Sequence, residues 1–175
     1  MNLFNQCRCS SDTVYPTGGC ECRFSTKRRP AHEAVPHDYE VHLAGGPSGY
    51  AVLSTSGIPD LRTAPPADFD GPRDALSPEH LLPAAVQACS LFTRRSIARA
   101  SHVDFVSLEL DAAGTVNRQE GVTRFTEIVL RPRLVIAPGA DRERALHVLE
   151  KSEKHCLVSA SLSTPIRLEP EITER

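Results

Sequence analysis

Two cysteines in apolar helical surroundings are the residues of this chain best suited to chemistry. Cys89 lies in the segment Ala-Val-Gln-Ala-Cys-Ser-Leu-Phe, and Cys156 lies in Lys-His-Cys-Leu-Val-Ser-Ala-Ser-Leu. Two isolated thiols on packed helix faces suggest a nucleophile and a resolving partner, the arrangement that peroxide reduction requires. The nucleophile attacks as a thiolate and becomes a sulfenic acid, with which the second thiol condenses. The alternative for either cysteine is a small buried hydrophobe, a common role of a free cysteine.

Four more cysteines stand near the start of the chain as two close pairs. Cys7 and Cys9 form the first pair, and Cys20 and Cys22 form the second. Four thiolates can hold a tetrahedral Zn²⁺, although zinc fingers usually leave two to four residues between paired ligands. Thiolates also suit copper(I). The sequence therefore offers a zinc site in this segment, and a tail whose cysteines bind nothing is the alternative.

Composition excludes several classes of function. The 175 residues are 40% hydrophobic, which suits one globular core. A net charge of −2 gives no reason to expect nucleic acid or membrane partners, and the apolar runs are too short to span a bilayer. The start of the chain shows no leader pattern, so we expect a cytoplasmic protein. There thiols stay reduced, and six cysteines indicate metal or redox chemistry and no disulfide framework.

The elements that must position the two thiols can be outlined from periodicity. Residues 1–36 show no lasting period and are predicted to be a tail, and residues 37–175 are predicted to be the folded domain. Alternating apolar residues predict strands near 39–43, 50–54, 60–64, 106–111, 128–136 and 166–172. Helical patterns predict one helix from Ser77 to about His102 and another from Asp141 to about His155. Clustered strands covered by two helices give an α+β fold.

Four local expectations accompany this outline. The first helix should bury the stripe that contains Val86 and Cys89, widened toward Phe92, and its arginines should form a solvated face. Gly114 should mark a turn after a short strand. Pro132 should place its strand at a sheet edge or at a bulge.

Three segments carry a resemblance to a known family. They are Ser77-Pro78-Glu79-His80-Leu81-Leu82, Ala88-Cys89 and Lys154-His155-Cys156-Leu157-Val158-Ser159, with a pair of strands between the helices. In this order they resemble the OsmC/Ohr family, the osmotically inducible and organic hydroperoxide resistance proteins. The resemblance covers roughly residues 37–172.

The resemblance implies a fold and an activity. The family fold is an α+β intertwined homodimer with antiparallel sheets and two long central helices back to back. Its active members reduce organic hydroperoxides without a cofactor and are restored by an external dithiol. Position for position, Cys89 matches the peroxidatic cysteine, Cys156 the resolving one and Glu79 a carboxylate near the site.

Helix geometry limits the role of Glu79. It precedes Cys89 by ten residues on the same predicted helix, a rise of about 15 Å. Glu79 therefore reaches a Cys89 site most simply from a partner subunit in an antiparallel dimer. The alternative is that its negative charge only stabilises the start of the helix.

One departure from the family pattern bears on activity. The hydroperoxide-resistance branch uses an arginine in an early turn to activate the thiolate, but the corresponding turn here, residues 45–49, reads Gly-Gly-Pro-Ser-Gly. Without a nearby cation we expect burial to raise the pKa of Cys89. Arg62 and His42 are candidate substitutes. A second hypothesis is thus a non-catalytic dimer of this fold that binds an apolar ligand or acts in a stress response.

Overall fold

The computed structural model describes residues 36–175 and has the expected α+β architecture. One compact unit spans Glu40–Arg175, and residues 36–39 lie outside it without regular secondary structure. In chain order its elements are β1 (His42–Gly45), β2 (Ala51–Thr55), β3 (Ile58–Thr63), a 3-10 helix (Ala67–Phe69), α1 (Pro78–Ala100), β4 (Ser107–Gln119), β5 (Val122–Ile136), α2 (Arg142–Lys154), α3 (Leu157–Ala160), β6 (Ile166–Leu168) and β7 (Glu171–Glu174).

The strands form two sheets. A small antiparallel sheet has the order β1-β2-β3, and Gly57 with φ +77° makes the tight turn between β2 and β3. In the larger sheet, β4 and β5 form a long antiparallel hairpin, whereas β6 and β7 pair with β5 in parallel. The larger sheet is therefore mixed, because the chain crosses over through α2 and α3 before it returns to β5.

Pro132 does not lie at an edge or a bulge, so that expectation was wrong. Its strand β5 is central, with β4 on one side and β6 and β7 on the other. The last β6 pair joins Leu130 to Leu168, and the first β7 pair joins Arg133 to Glu171. Pro132 thus falls where the neighbouring strand changes, and its missing N–H interrupts neither parallel ladder.

The expectation of a turn at Gly114 was also wrong. Strand β4 runs through this glycine to Gln119, and the reversal occurs at Glu120 and Gly121, which have φ of +51° and +83°. A Cβ atom at Gly114 would lie 2.5 Å from the Phe125 side chain. The glycine allows a close approach across the hairpin and does not end the strand.

Helix α1 is rotated relative to the predicted stripe. Ser77 precedes it, with its N–H donating to His80 Nδ1 at 3.3 Å and its Oγ 2.8 Å from the same nitrogen. The buried row of α1 consists of Pro83, Val86, Ser90, Arg94 and Ala98. Phe92, expected inside, is 58% exposed, and Arg94, expected in solvent, is 1% exposed.

The core that holds α1 and α2 on the larger sheet has two clusters. Val86 of α1 packs on Ile128 and Leu130 of β5, while α2 packs on the other end of that strand through Ala145 and Leu149. Asp141 caps α2 by accepting from the N–H of Arg144 at 2.9 Å. Because both helices rest on one long strand, α1, which carries Cys89, is held against α2 and the short segment after it, which carries Cys156.

Candidate active site

Cys89 lies in the middle of α1 and is half-buried. Its Sγ is 4.0 Å from Oγ1 of Thr93, which follows one helical turn later. Residues four apart share a helix face, so this hydroxyl is placed beside the thiol by the helix itself.

Cys156 lies in the short connection between two helices. Helix α2 ends at Lys154, one residue earlier than expected, and Cys156 occupies the N-cap of α3 with extended backbone angles. Its Sγ accepts from the N–H of Ser159 at 3.5 Å. The side chain is 0% exposed, so solvent reaches Cys89 and not Cys156.

The fold places these two thiols near each other, so that each influences the pKa of the other. Burial by itself raises the pKa of Cys89, but hydrogen bonds from the Cys156 thiol, from the N–H groups of Val158 and Leu157 and from the Thr93 hydroxyl outweigh it, so that the pKa lies below its ordinary value. Burial, reinforced by its bond to Cys89, raises the pKa of Cys156. The first proton to leave the pair therefore leaves the more accessible thiol.

The expected upward shift of the Cys89 pKa was thus wrong. That expectation treated Cys89 as a thiol in an apolar helix with no cation nearby. In the structure the start of α3 lies against it, and backbone N–H groups stabilise a thiolate by hydrogen bonding. These donors come from residues 157 and 158, far from Cys89 in sequence.

Glu79 is not brought to this pair within one chain. It stands in the first turn of α1, and its Oε2 is buried without a hydrogen-bond partner among residues 36–175. It lines a cavity of about 710 Å³ between α1, the β4–β5 hairpin and the 3-10 helix, together with Phe69, Pro83 and Phe125. Cys89 is not among the lining residues, in agreement with the axial distance between the two positions.

Arg62, one of the two candidate replacements for the family arginine, is engaged elsewhere. Its guanidinium lies 3.0 Å from a carboxylate oxygen of Asp74 and 4.4 Å from the centre of the Tyr50 ring. The Tyr50 hydroxyl donates to the same carboxylate at 2.8 Å. His42, the other candidate, is exposed in β1. Neither side chain contributes to the lowered pKa of Cys89.

The tail cysteines Cys7, Cys9, Cys20 and Cys22 lie outside the described residues, so the zinc site there stays a prediction. Within residues 36–175, no three His, Cys, Asp or Glu side chains are placed to share a metal ion. None of the helices in that part of the chain is long and apolar enough to cross a membrane.

Comparison with known proteins identifies the family. The family described as OsmC-like protein matches residues 71–171, which include α1, both cysteines and β4–β6. The chain belongs to the OsmC-like family. An uncharacterized protein of Bacillus subtilis, YmaD, is 26% identical over 109 residues, which are 61% of this chain and 73% of that protein.

Solved structures agree with this membership at the level of the fold. An OsmC-like protein of unknown function from Vibrio cholerae superposes with a TM-score of 0.71 at 17% identity, over 77% of this chain and 99% of its own. An organic hydroperoxide resistance protein from Legionella pneumophila superposes with a TM-score of 0.64 at 18% identity, over 80% of this chain and 99% of its own. The organic hydroperoxide resistance protein OhrB of Bacillus subtilis superposes with a TM-score of 0.57 at 19% identity, over 77% of this chain and 96% of its own. The recognised family and the α+β fold are thereby confirmed.

Sequence reasoning missed several groups at the site. The sequence analysis assigned no role to Thr93, although its spacing of four residues from Cys89 was a usable signal. Ser159 follows Cys156 by three residues, a spacing that indicates a capped turn. The N–H groups of Leu157 and Val158 leave no mark in the sequence, because any residue type supplies them.

Proposed function

We propose that this protein is a thiol-dependent peroxidase that reduces organic hydroperoxides through Cys89 and Cys156. The observation that carries the proposal is the contact between two thiols of opposite character. Cys89 is accessible and has a lowered pKa, whereas Cys156 is buried and has a raised pKa. Membership of the OsmC-like family, two of whose structural relatives are named organic hydroperoxide resistance proteins, supports the choice of substrate.

The reaction has two steps on the protein. The Cys89 thiolate attacks one oxygen of the O–O bond and becomes a sulfenic acid, while the other oxygen leaves with the alkyl group and takes a proton to form an alcohol. The Cys156 thiol then displaces hydroxide from the sulfenic sulfur, which gives a Cys89–Cys156 disulfide and water. An external dithiol returns two electrons and two protons, and no cofactor is required.

Each neighbour of the pair has a part in this scheme. The N–H groups of Leu157 and Val158 stabilise the attacking thiolate, as oriented backbone donors do for other anions. Because Cys156 keeps its proton when Cys89 has lost it, the pair carries one negative charge at the start. The N–H of Ser159 holds the Cys156 sulfur at the start of α3, next to the sulfenic acid that it must attack.

A homodimer is part of the proposal. Exposed apolar residues on one side of α1, Ala85, Ala88 and Phe92, suit a surface that a second copy would cover. In such an antiparallel pair of helices, Glu79 of one chain would approach the Cys89 site of the other. A cytoplasmic location also stays a prediction.

A non-catalytic role is the second candidate. The cavity beside Glu79 is lined by both polar and apolar side chains, with Phe69 and Phe125 among the apolar ones, and its volume of about 710 Å³ is that of a small-molecule site. It supports the hypothesis of a dimer that binds an apolar ligand and acts in a stress response. The lowered pKa of Cys89 is the observation that favours the enzyme.

Steady-state turnover of an alkyl hydroperoxide with a dithiol reductant decides between these functions. We expect alcohol to form in proportion to the dithiol that is consumed. The Cys89→Ser variant should form no alcohol. Hydroperoxide consumption no faster than with the dithiol in the absence of protein would favour the ligand-binding role.

The tail zinc is proposed separately. Metal analysis of purified full-length protein and of a variant with all four tail cysteines replaced by serine should show zinc only in the former. Equal zinc content in both would remove the proposal and leave the peroxidase untouched.

A further inference from the structure

Glu79 places a carboxylate without a protein donor in the wall of the cavity between α1 and the β4–β5 hairpin. The cavity has a volume of about 710 Å³, and Glu79 contributes to its lining from the first turn of α1. Its Oε2 is buried and accepts no hydrogen bond from residues 36–175. A buried acceptor that has exchanged water for no donor is costly, and more so when it is charged. Within the described chain, this carboxylate therefore lacks the donor that its burial calls for.

The wall around Glu79 is held in place by the fold itself. Part of it belongs to the segment between β3 and α1, whose two ends are joined at the Leu76 carbonyl. The Thr63 hydroxyl donates to this oxygen at 2.6 Å, and the Ala64 N–H donates to it at 3.3 Å. On the hairpin, Phe125 packs over Gly114 so closely that a Cβ atom there would lie 2.5 Å from the ring. A preformed cavity of this size, with apolar walls and a few polar groups, is typical of small-molecule sites.

Negative charge predominates among the polar groups of this wall. Asp68 of the 3-10 helix is a second carboxylate in the lining, and neither it nor Glu79 takes part in an ion pair of the described chain. His80 also lines the cavity, but its Nδ1 accepts from the Ser77 N–H at 3.3 Å. A ring nitrogen that accepts a hydrogen bond carries no proton, so this contact requires the neutral form of the imidazole.

Arg124 is the cation in the lining, and it is engaged on the hairpin. Its Nε and one terminal nitrogen donate to Oε1 of Gln119 at 3.2 and 2.8 Å. Gln119 is neutral, so the charge of Arg124 offsets one of the two carboxylates at most. The cavity is therefore left with a negative charge that a bound cation would balance.

We infer that the cavity beside Glu79 is a binding site for a small organic cation, a primary ammonium group on an apolar body. The ammonium donates to the Glu79 carboxylate, which gives a charge-assisted hydrogen bond. The apolar body lies against Phe69 and Phe125, and aromatic rings also attract a cation. The inference deepens the ligand-binding candidate, on which it rests for its biological role, by giving the ligand a charge. It does not depend on peroxidase activity.

Two probes of the same shape test the charge. Phenethylamine is a cation at pH 7, as alkylamines are, and phenethyl alcohol is its neutral counterpart. Isothermal titration calorimetry with reduced full-length protein measures both dissociation constants. We expect the amine to bind about tenfold or more tightly than the alcohol, since a hydrogen bond to a charged group is the stronger one.

Glu79→Gln keeps the shape of the side chain and removes its charge, so in this variant the amine and the alcohol should bind alike. Asp70→Asn is the matched control. Asp70 lies two residues after Asp68, is exposed, and is not among the residues that line the cavity. Its φ of +58° is one that asparagine adopts readily. The control removes the same charge from the same segment and should leave the preference for the amine unchanged.

Ala84→Leu tests where the probe binds. Ala84 lines the cavity from α1, and leucine keeps a good helix former there while filling part of the volume. Both probes should bind more weakly to this variant. It also tests the site if Glu79→Gln does not fold.

Several results would overturn the inference. Equal affinity of wild type for the amine and the alcohol would mean that Glu79 is already satisfied in solution, for example by a second copy of the chain. The same follows if the amine does not bind at all. A preference for the amine that survives Glu79→Gln, or an amine affinity that Ala84→Leu leaves unchanged, would place the cation elsewhere.

These failures differ from failure of the proposed function. Cys89→Ser should bind the amine as wild type does, so loss of hydroperoxide turnover leaves the titration intact. Binding of the alcohol without preference for the amine would retain the ligand-binding candidate and remove only the charge.

Discussion

Cys89 and Cys156 are the same chemical group held in two different surroundings. Cys89 lies in the middle of a long helix and is half-buried, with the Thr93 hydroxyl 4.0 Å from its sulfur. Cys156 caps a short helix and is buried. Burial raises the pKa of both, and hydrogen bonding reverses the result only for Cys89. The difference shows that hydrogen-bond donors, more than depth in the core, decide which thiol has the lower pKa.

The largest expected effect comes from removing the accessible thiol. Cys89→Ser should lower hydroperoxide turnover on the order of 10³-fold or more, since a hydroxyl cannot replace the thiolate as covalent nucleophile. Because the residue is half-buried and the change small, Tm should move little. Thr93→Ser, a change of similar size on the same helix face, is the control; retained turnover in Cys89→Ser would end the assignment.

Removing the buried thiol should separate the two steps. Cys156→Ser should still form a Cys89 sulfenic acid but lower turnover by about 10²-fold, because the resolving thiol is no longer held next to it. A sulfenic acid probe with mass spectrometry gives the first readout. Burying a hydroxyl there should also cost about 1–3 kcal/mol of unfolding free energy, and Cys156→Ala separates that cost from the chemistry. Unchanged turnover would show that another thiol resolves Cys89.

The pH dependence should distinguish the thiols. Since the pKa of Cys89 is lowered and that of Cys156 raised, alkylation should rise with pH first at Cys89 and only at higher pH at Cys156. In Cys89→Ser, burial should keep Cys156 slow to react. Peptide mapping after alkylation at several pH values measures both sites, and a reversed order would exchange the two roles.

The smallest expected effect concerns the Thr93 hydroxyl. Its Oγ1 lies 4.0 Å from the Cys89 sulfur, and it is the weakest of the side-chain donors that lower the pKa of Cys89. Thr93→Val should slow the reaction with hydroperoxide by about two- to fivefold, the loss of one modest hydrogen bond. Thr93→Ser keeps the hydroxyl and should react as wild type. A valine variant as fast as wild type would assign the stabilisation to the backbone donors alone.

Much of the fold could be predicted from the sequence because its signals are local. Ser77 and Pro78 mark the start of α1, and alternation marks β4 and β5. The rotation of α1 was not predictable in the same way, since apolar residues continue around the helix to Phe92 and the pattern does not say which side faces the sheet. Arg94 was consequently assigned to solvent.

The site was predictable in its residue types but not in its electrostatics. Each cysteine stands in a recognisable segment, and together they match a family pattern. The pKa of Cys89, in contrast, depends on N–H groups of Leu157 and Val158, almost seventy positions later. Only the packing of α3 against α1 reveals that contact.

The most direct test of the peroxidase assignment is peptide mapping of the reduced protein after one equivalent of an organic hydroperoxide, under non-reducing conditions. A Cys89–Cys156 disulfide that forms within seconds, and that Cys89→Ser does not form, is the predicted result. Cys89 and Cys156 recovered unmodified would contradict it, and the ligand-binding role would then be the better description of this protein.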